Sequence, residues 1–408
     1  GGGRGTRLAS LTGERSKPAV PVAGKYRLVD IPISNALHSG MKKMLLLTQY
    51  LQHSLTRHIA STYRFDQFTS GYVNILAAEQ TAKGERWFQG TADAVRATLD
   101  TIDNMGTDLV LILAGDHMYR MDYREMVDEH IRAEADVTVA VQPCSEAEIA
   151  GFGALRVDET GRITEFREKP KTETERNGME LDPAWLAARG IPKTTPYLGS
   201  MGIYLFNKQV LFQGLAGDAL DFGGEVIPAA VNTRKVQSHF FTGYWRDIGT
   251  VSAFFEAHMD LLGPEPQFRV DDPDWPIFTH PRFLPCAKVD VSTFDQSMLA
   301  EGSSIAHSTI ERSIIGVRSR IEGATIRESI VMGADSDPPS PREGEPPVGI
   351  GHGTVIQRAI IDKNARIGKN VRITNVANVM EADGENYAVR DGIVLIPKNG
   401  VIPDGTII

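Results

Sequence analysis

Cysteine is nearly absent from the 408 residues: only Cys144 and Cys286 occur, far apart, too few for a disulfide framework or a cysteine-built zinc site. A reducing cytoplasm is therefore the expected setting. No run approaches eighteen consecutive apolar residues and no signal-peptide pattern opens the chain, so no membrane partner is expected. Aromatic residues make up 7%, and a net charge of −9 argues against a general nucleic-acid surface. What is present, 41% hydrophobic and 23% charged residues, is ordinary globular composition, and the length suggests two domains.

The charge is unevenly spread. Residues 1–64 hold ten Lys and Arg against Glu14 and Asp30, a surplus of eight in an otherwise acidic chain. A positive segment on an acidic protein points to a local anion site, phosphates first among them. The opening "GGGRGTRL" fits that reading, because glycines let backbone N–H groups approach a phosphate while Arg4 and Arg7 add charged donors. It is neither a Walker A loop nor a dinucleotide fingerprint. Lys17 follows in "SKPAV", where Pro18 restricts the lysine's backbone and suits a charge held in a fixed position.

Apolar runs suited to buried strands ("MKKMLLLTQY", "DLVLILAGD", "ADVTVAVQP") alternate with helical periodicity in "TADAVRATLDTIDNM" over residues 1–260. This alternation predicts an α/β domain with a mostly parallel sheet, whose ligands sit at the carboxyl ends of strands. Asp116 in "LAGDH" occupies one such end, and Asp247 in "YWRDIGT" precedes a helix start. Either aspartate alone is equally a loop carboxylate or a helix cap. Beside a basic phosphate loop the two together suggest a Mg²⁺ site shared with substrate phosphates. "FREKP" adds an acceptor, Glu168, next to a cation, Lys169.

Residues 261–290 are proline-rich and aperiodic, so they read as a linker. From 291 to 408 an aliphatic recurs every five or six positions: Ile305, Ile310, Ile315, Ile321, Ile326 and Val331, then Ile350, Ile356, Ile361, Ile367 and Ile373. That spacing suits the faces of a β-solenoid coil, with a β-sandwich as the alternative. "DSDPPSPREGEPP" interrupts the stack and is expected to be an exposed, mobile loop.

Taken in order, "GGGRGTRL", "SKPAVPVAGKYRLVDIPISNALHSG", "WFQGTADAV", "LAGDHMYRMDY", "EFREKP", "SMGIY" and "GYWRDIGT" resemble the glucose-1-phosphate adenylyltransferase family, and the resemblance runs from Gly1 to Ile408. It implies a Rossmann-like nucleotidyltransferase domain followed by a left-handed parallel β-helix of the hexapeptide kind. The implied reaction joins ATP and α-D-glucose 1-phosphate to give ADP-glucose and pyrophosphate. Arg7, Lys17, Asp116 and Asp247 match the catalytic set, with Mg²⁺ held by the two aspartates. Gly2, Gly3, Gly5, Thr6, Gln80, Gly90, Thr91 and Ala92 match nucleotide-holding positions. Phe88, Gly153, Glu168, Lys169 and Ser200 match those that hold glucose 1-phosphate, and Phe88 stands where some relatives carry Tyr.

The resemblance further implies an effector anion site between the domains. Lys363 and Lys398 match effector lysines of the cyanobacterial and plant branch, accompanied by Arg15, Arg27, Arg57, His58 and Arg318. Lys25 matches the effector lysine of the enteric type. Both 3-phosphoglycerate and fructose 1,6-bisphosphate stay open as activator, with orthophosphate as inhibitor. A cytoplasmic homotetramer is implied. A non-catalytic regulatory subunit is the competing reading, against which the intact catalytic set argues; a uridylyl- or guanylyltransferase is another. Family members begin with a hydrophobic strand before the glycine-rich loop. The present sequence starts inside that loop without Met and is expected to be a fragment or a mis-called start.

Overall fold

The computed structural model describes residues 8–78, 80–81, 84–85, 87–336 and 342–408. The first region is built on the strand Tyr197–Asn207, eleven residues long and almost wholly buried. It pairs antiparallel with Gly153–Val157, Val137–Cys144 and Leu109–Ile112. Val137–Cys144 in turn runs parallel to Val236–Phe240, and Lys43–Thr48 runs parallel to Tyr72–Ala77. The described pairings are thus mixed, with helices covering the faces. The helical stretch of the "GTADAV" segment is two short helices, Thr91–Arg96 and Leu99–Asn104.

Between Met259 and Lys288 the chain has neither helix nor strand, yet it is not loose. It lies along the helix Asp30–His38: Trp275 Nε1 donates to Asn35 Oδ1 at 3.0 Å, Phe278 N to Ser34 Oγ at 2.8 Å, and Thr279 Oγ1 to Asp30 Oδ2 at 2.7 Å. Prolines without N–H groups leave side chains to anchor the segment, and they do so on a buried helix.

The second region is the left-handed β-helix. Three parallel sheets stack one coil on the next, and the register Ile305, Ile321, Ile350, Ile367 shows the repeat on one face. Ile310, Ile326, Ile356 and Ile373 line the second face, and Ile315, Val331 and Ile361 the third. All are at most 5% exposed, each contributing about 1.5–3 kcal/mol of burial. The corners are reached through left-handed backbone at His307, Arg312, Arg318 and Glu328. Serine hydroxyls satisfy corner amides one coil later, as when Ser313 Oγ accepts from Ser329 N at 3.0 Å. This sixteen-residue ladder accounts for the buried serines.

Two insertions break the stack. The first runs after Val331; residues 337–341 lie outside the description, but its flanks are pinned, because Asp335 pairs with Lys363 and Lys398 and Glu345 with Arg366. The stretch is exposed, as expected, at most of its described residues, with ion pairs anchoring it at Asp335 and Glu345. The second carries a hairpin, Glu381–Asp383 with Ala388–Arg390, that extends the third sheet.

The third sheet also carries an outward row, Ile314, Ile330, Ile360 and Leu395, each at most 2% exposed. These residues belong to one apolar cluster with Phe254, Phe255 and Leu261 of the first region. The two regions share a core rather than a tether. Among the described residues no helix is long and apolar enough to cross a membrane.

Candidate active site and interdomain cleft

Asp116 and Asp247 are brought together by a two-stranded antiparallel ladder, His117–Tyr119 with Trp245–Asp247, in which Asp247 is the register partner of His117. Asp116 directly precedes the first strand, and its carbonyl accepts from Ile248 N at 3.2 Å. The helix that follows, Val251–Met259, is capped by Thr250, whose hydroxyl accepts from Ala253 N. Asp247 is therefore free of the capping role that its sequence position allowed.

Lys17 enters from a 3₁₀ turn, Lys17–Ala19, with Pro18 in its first positions. Its Nζ lies 2.5 Å from Asp116 Oδ2 and 3.8 Å from Asp247 Oδ1. Burial works against the Asp116 charge, but His117 and Lys17 outweigh it and bring the carboxyl down to about 2. One oxygen from each aspartate and a nitrogen of His117 lie within 4.8 Å of one another. This donor set, two carboxylates and an imidazole beside a lysine, fits a divalent cation and its phosphate ligands.

A chain of contacts leads from this centre to the other expected residues. The Trp245 ring meets the His117 ring edge-on at 5.1 Å and the Phe152 ring at 4.9 Å. Phe152 O accepts from Lys169 N at 3.1 Å, and Lys169 Nζ pairs with Glu168 at 2.9 Å. Glu168 lies against Gly223, where a Cβ would stand 2.8 Å from its Oε2. Gly153 is the register partner of Glu168, and a Cβ there would strike the Phe166 ring at 2.3 Å, so packing alone already requires glycine. Ser200 is 7% exposed and accepts from Gly202 N at 3.3 Å.

The "GTA" segment docks on the same wall. Gly90 passes so close to Leu220 that a Cβ would sit 2.1 Å from its carbonyl oxygen. Ala92 N donates to that oxygen at 2.9 Å, and Thr91 Oγ1 donates to Asp221 Oδ2 at 2.9 Å. Phe88 is half-buried and clamped at both backbone groups by Gln49, at 2.7 and 3.1 Å. Gly2, Gly3, Gly5, Thr6 and Arg7 lie outside the described residues, as does the side chain of Gln80. Sequence reasoning missed His117, Trp245 and Asp221. The first two stand inside quoted motifs, beside Asp116 and two residues before Asp247.

The remaining basic residues gather elsewhere. Pro21, Gly24, Lys25, Tyr26, Arg27, Arg282, Val317 and Lys363 line a narrow, solvent-open cleft between the two regions. Burial lowers Arg27 to about 10, despite the nearby Asp30. Lys363 is lowered to about 8: burial dominates, Arg27 and Arg282 add to it, and Asp335 only partly offsets it. Asp335 accepts both Lys363, at 3.2 Å, and Lys398, at 3.0 Å, while its carbonyl accepts from Arg318 at 3.3 Å.

Of the other expected effector residues, Arg15 forms a buried ion pair with Asp362 and Arg57 is exposed. His58 does not face the cleft openly; it is 4% exposed, with Nε2 2.6 Å from Asp30 Oδ1. Asp30 Oδ2 in turn accepts from Arg27 N at 2.9 Å, so His58 stands one layer behind Arg27. Arg282, in the linker, is a cleft residue that sequence reasoning missed.

Residues 1–263 match the family described as nucleotidyl transferase, and residues 282–407 match the GLGC left-handed parallel beta-helix domain. That succession is the architecture of glucose-1-phosphate adenylyltransferase. With the first match spanning well over half of its length, the chain belongs to the nucleotidyl transferase family.

Proposed function

We propose that the protein transfers the adenylyl group of ATP to α-D-glucose 1-phosphate, releasing pyrophosphate, and that phosphorylated metabolites regulate it from the interdomain cleft. The observation that carries the reading is Lys17 locked between Asp116 and Asp247 on a nucleotidyl transferase scaffold joined to this β-helix. A phosphate oxygen of the sugar phosphate attacks the α-phosphorus in line and the bond to pyrophosphate breaks, without a covalent enzyme intermediate. The protein's task is to hold two mutually repelling anions together and neutralise the transition state.

Lys17 carries one fixed positive charge to the reacting phosphates, and Arg7 supplies another. Asp116 and Asp247 would hold Mg²⁺, which when bound screens phosphate charge. The loop from Gly2 to Thr6, with Gln80 and Gly90–Ala92, holds the nucleotide. Glu168 and Lys169 bind the sugar and its phosphate, with Phe88, Gly153 and Ser200 shaping the pocket. In the cleft, Lys25, Arg27 and Lys363 bind the effector anion, with Lys398, Arg318 and Arg57 as its further cations. Arg15 and His58 position that set through Asp362 and Asp30. A homotetramer is the proposed assembly, and light scattering that finds only monomer under active conditions overturns it.

The purified protein should form ADP-glucose from ATP and glucose 1-phosphate with Mg²⁺. Asp116→Ala should lower turnover by about a hundred- to a thousandfold. Preference for UTP or GTP in a competition assay would reassign the nucleotide. Inactivity of the protein alone would favour a regulatory subunit.

A further inference from the structure

The stretch "DIPISNALH" supplies no substrate contact in the proposed reaction, yet it forms the helix Asp30–His38 with polar side chains buried along it. Asp30, Ser34 and Asn35 are each at most 2% exposed. Asp30, Ser34 and His38 recur every four residues and so share one face, with Asn35 beside them. Buried polar side chains that are fully hydrogen-bonded make their surroundings rigid, and here the partners lie outside the helix.

The two ends of the helix serve different neighbours. At its start, Asp30 accepts from Arg27 N at 2.9 Å and from Thr279 Oγ1 at 2.7 Å. Arg27 lines the basic cleft, as does Arg282, which follows Thr279 closely in the linker. Further along, Asn35 Oδ1 accepts from Trp275 Nε1 at 3.0 Å while its Nδ2 donates to Tyr119 O at 3.2 Å. Tyr119 ends the strand that pairs with Trp245–Asp247. Arg120 ties the same strand end to the linker: one terminal nitrogen donates to Arg269 O at 2.6 Å, and the other pairs with Asp272 at 3.3 Å. Residues 268–282 thus run from the catalytic ladder to the cleft, bolted to one helix at both ends.

Arg27, Arg282 and Lys363 face one cleft with like charge and repel one another. An anion bound among them removes that repulsion and draws Arg27 and Arg282 together, which moves two segments hydrogen-bonded to Asp30. We propose that helix Asp30–His38 and residues 268–282 form a strap through which an anion in the cleft shifts the ladder carrying Asp247, with Asn35 as the positioning residue at the ladder end. The inference rests on the reading of the cleft as an effector site. Its driving force is the tighter binding of the anion to the drawn-in setting of the strap.

The test uses the full chain labelled with 5-fluorotryptophan, free of nucleotide, titrated with sulfate and followed by ¹⁹F NMR. Trp245, whose ring meets His117 edge-on at 5.1 Å, reports on the ladder, and Trp275 reports on the strap. Trp245→Phe and Trp275→Phe assign the two resonances, and saturating sulfate should shift both in the wild type. Trp275→Phe keeps an aromatic ring against His38, 4.6 Å away, but removes the N–H that reaches Asn35. Thr279→Val removes the hydroxyl that reaches Asp30 with little change of shape. In each variant the Trp245 shift at saturation should fall to about a third or less, with sulfate binding retained by calorimetry. An undiminished Trp245 shift in both variants overturns the proposal, because sulfate then reaches the ladder directly or by another route. A wild-type Trp245 resonance that stays still while calorimetry shows sulfate bound also overturns it, and leaves the cleft reading standing. Absence of sulfate binding overturns the cleft reading and the strap with it.

Discussion

Lys169 sits at φ +44°, a left-handed conformation that costs a non-glycine residue on the order of 1 kcal/mol. The conformation turns the chain at the end of Ile163–Glu168, so that the ammonium folds back beside Glu168 with more than half of the side chain open to solvent. An exposed lysine held this way is poised for a ligand rather than for stability, since such a pair contributes little on its own. Lys169→Ala should therefore leave the melting temperature near that of the wild type while raising KM for glucose 1-phosphate about ten- to a hundredfold. Steady-state kinetics with each substrate varied in turn will check it; a rise confined to KM for ATP would move Lys169 out of the sugar-phosphate role. Single residues with a local cue, such as Lys17 before proline or Asp116 after an apolar run, were legible in the sequence. Their partnership was not, because Asp116 meets Asp247 through a ladder between segments 130 positions apart, for which no spacing rule exists.

Helix Val251–Met259 shows how an element fixes a distant loop. His258 on this helix is fully buried; Nδ1 donates to Phe254 O at 2.7 Å, and Nε2 accepts from Ala23 N at 3.2 Å. The same loop touches the β-helix through Gly24 O, which accepts from Val317 N at 3.0 Å. Accepting at Nε2 requires a neutral ring, and burial accordingly lowers His258 to about 4. In the unfolded chain it titrates near 6.5, so the unfolded state takes up the proton first as pH falls. The stability from the neutral ring is complete above pH 6.5 and is lost between 6.5 and 4, by roughly 3 kcal/mol. His258→Gln, which does not titrate, should be less stable than the wild type at pH 7 and lose less on acidification. Thermal melts of both proteins from pH 7.5 to 4.5 give the comparison, and parallel curves would show that His258 is not the sensitive group. At this scale the solenoid was legible from its aliphatic spacing. The hairpin Glu381–Arg390 was not, since its residues share no phase with the coils.

The joining of the two regions could have been read from aliphatic doublets. Ile314-Ile315, Ile330-Val331 and Ile360-Ile361 put one side chain inside the prism and the other outside, and the outside row is buried against Phe254 and Phe255. A rigid apolar seam beside a basic cleft means that charge introduced in the cleft is felt by both regions at once. Asp335 already supplies one such charge. Burial disfavours its ionised form, but Lys363 and Lys398 more than compensate and hold the carboxyl well below the usual range.

An anion entering among Arg27, Arg282 and Lys363 must compete with Asp335 for the lysines. Asp335→Asn removes the competitor, so sulfate, whose charge is constant over the range, should bind at least about fivefold more tightly at pH 7 by calorimetry. In the wild type, Lys363 loses its proton near pH 8, and sulfate affinity should fall as pH rises through that value. Asp335 is the carboxylate that lifts the Lys363 pKa against burial, Arg27 and Arg282. Without it the fall should begin at lower pH, even though binding at pH 7 is stronger. Weaker sulfate binding by Asp335→Asn at pH 7 would instead show that the carboxylate orders the lysines for the anion and does not compete with it.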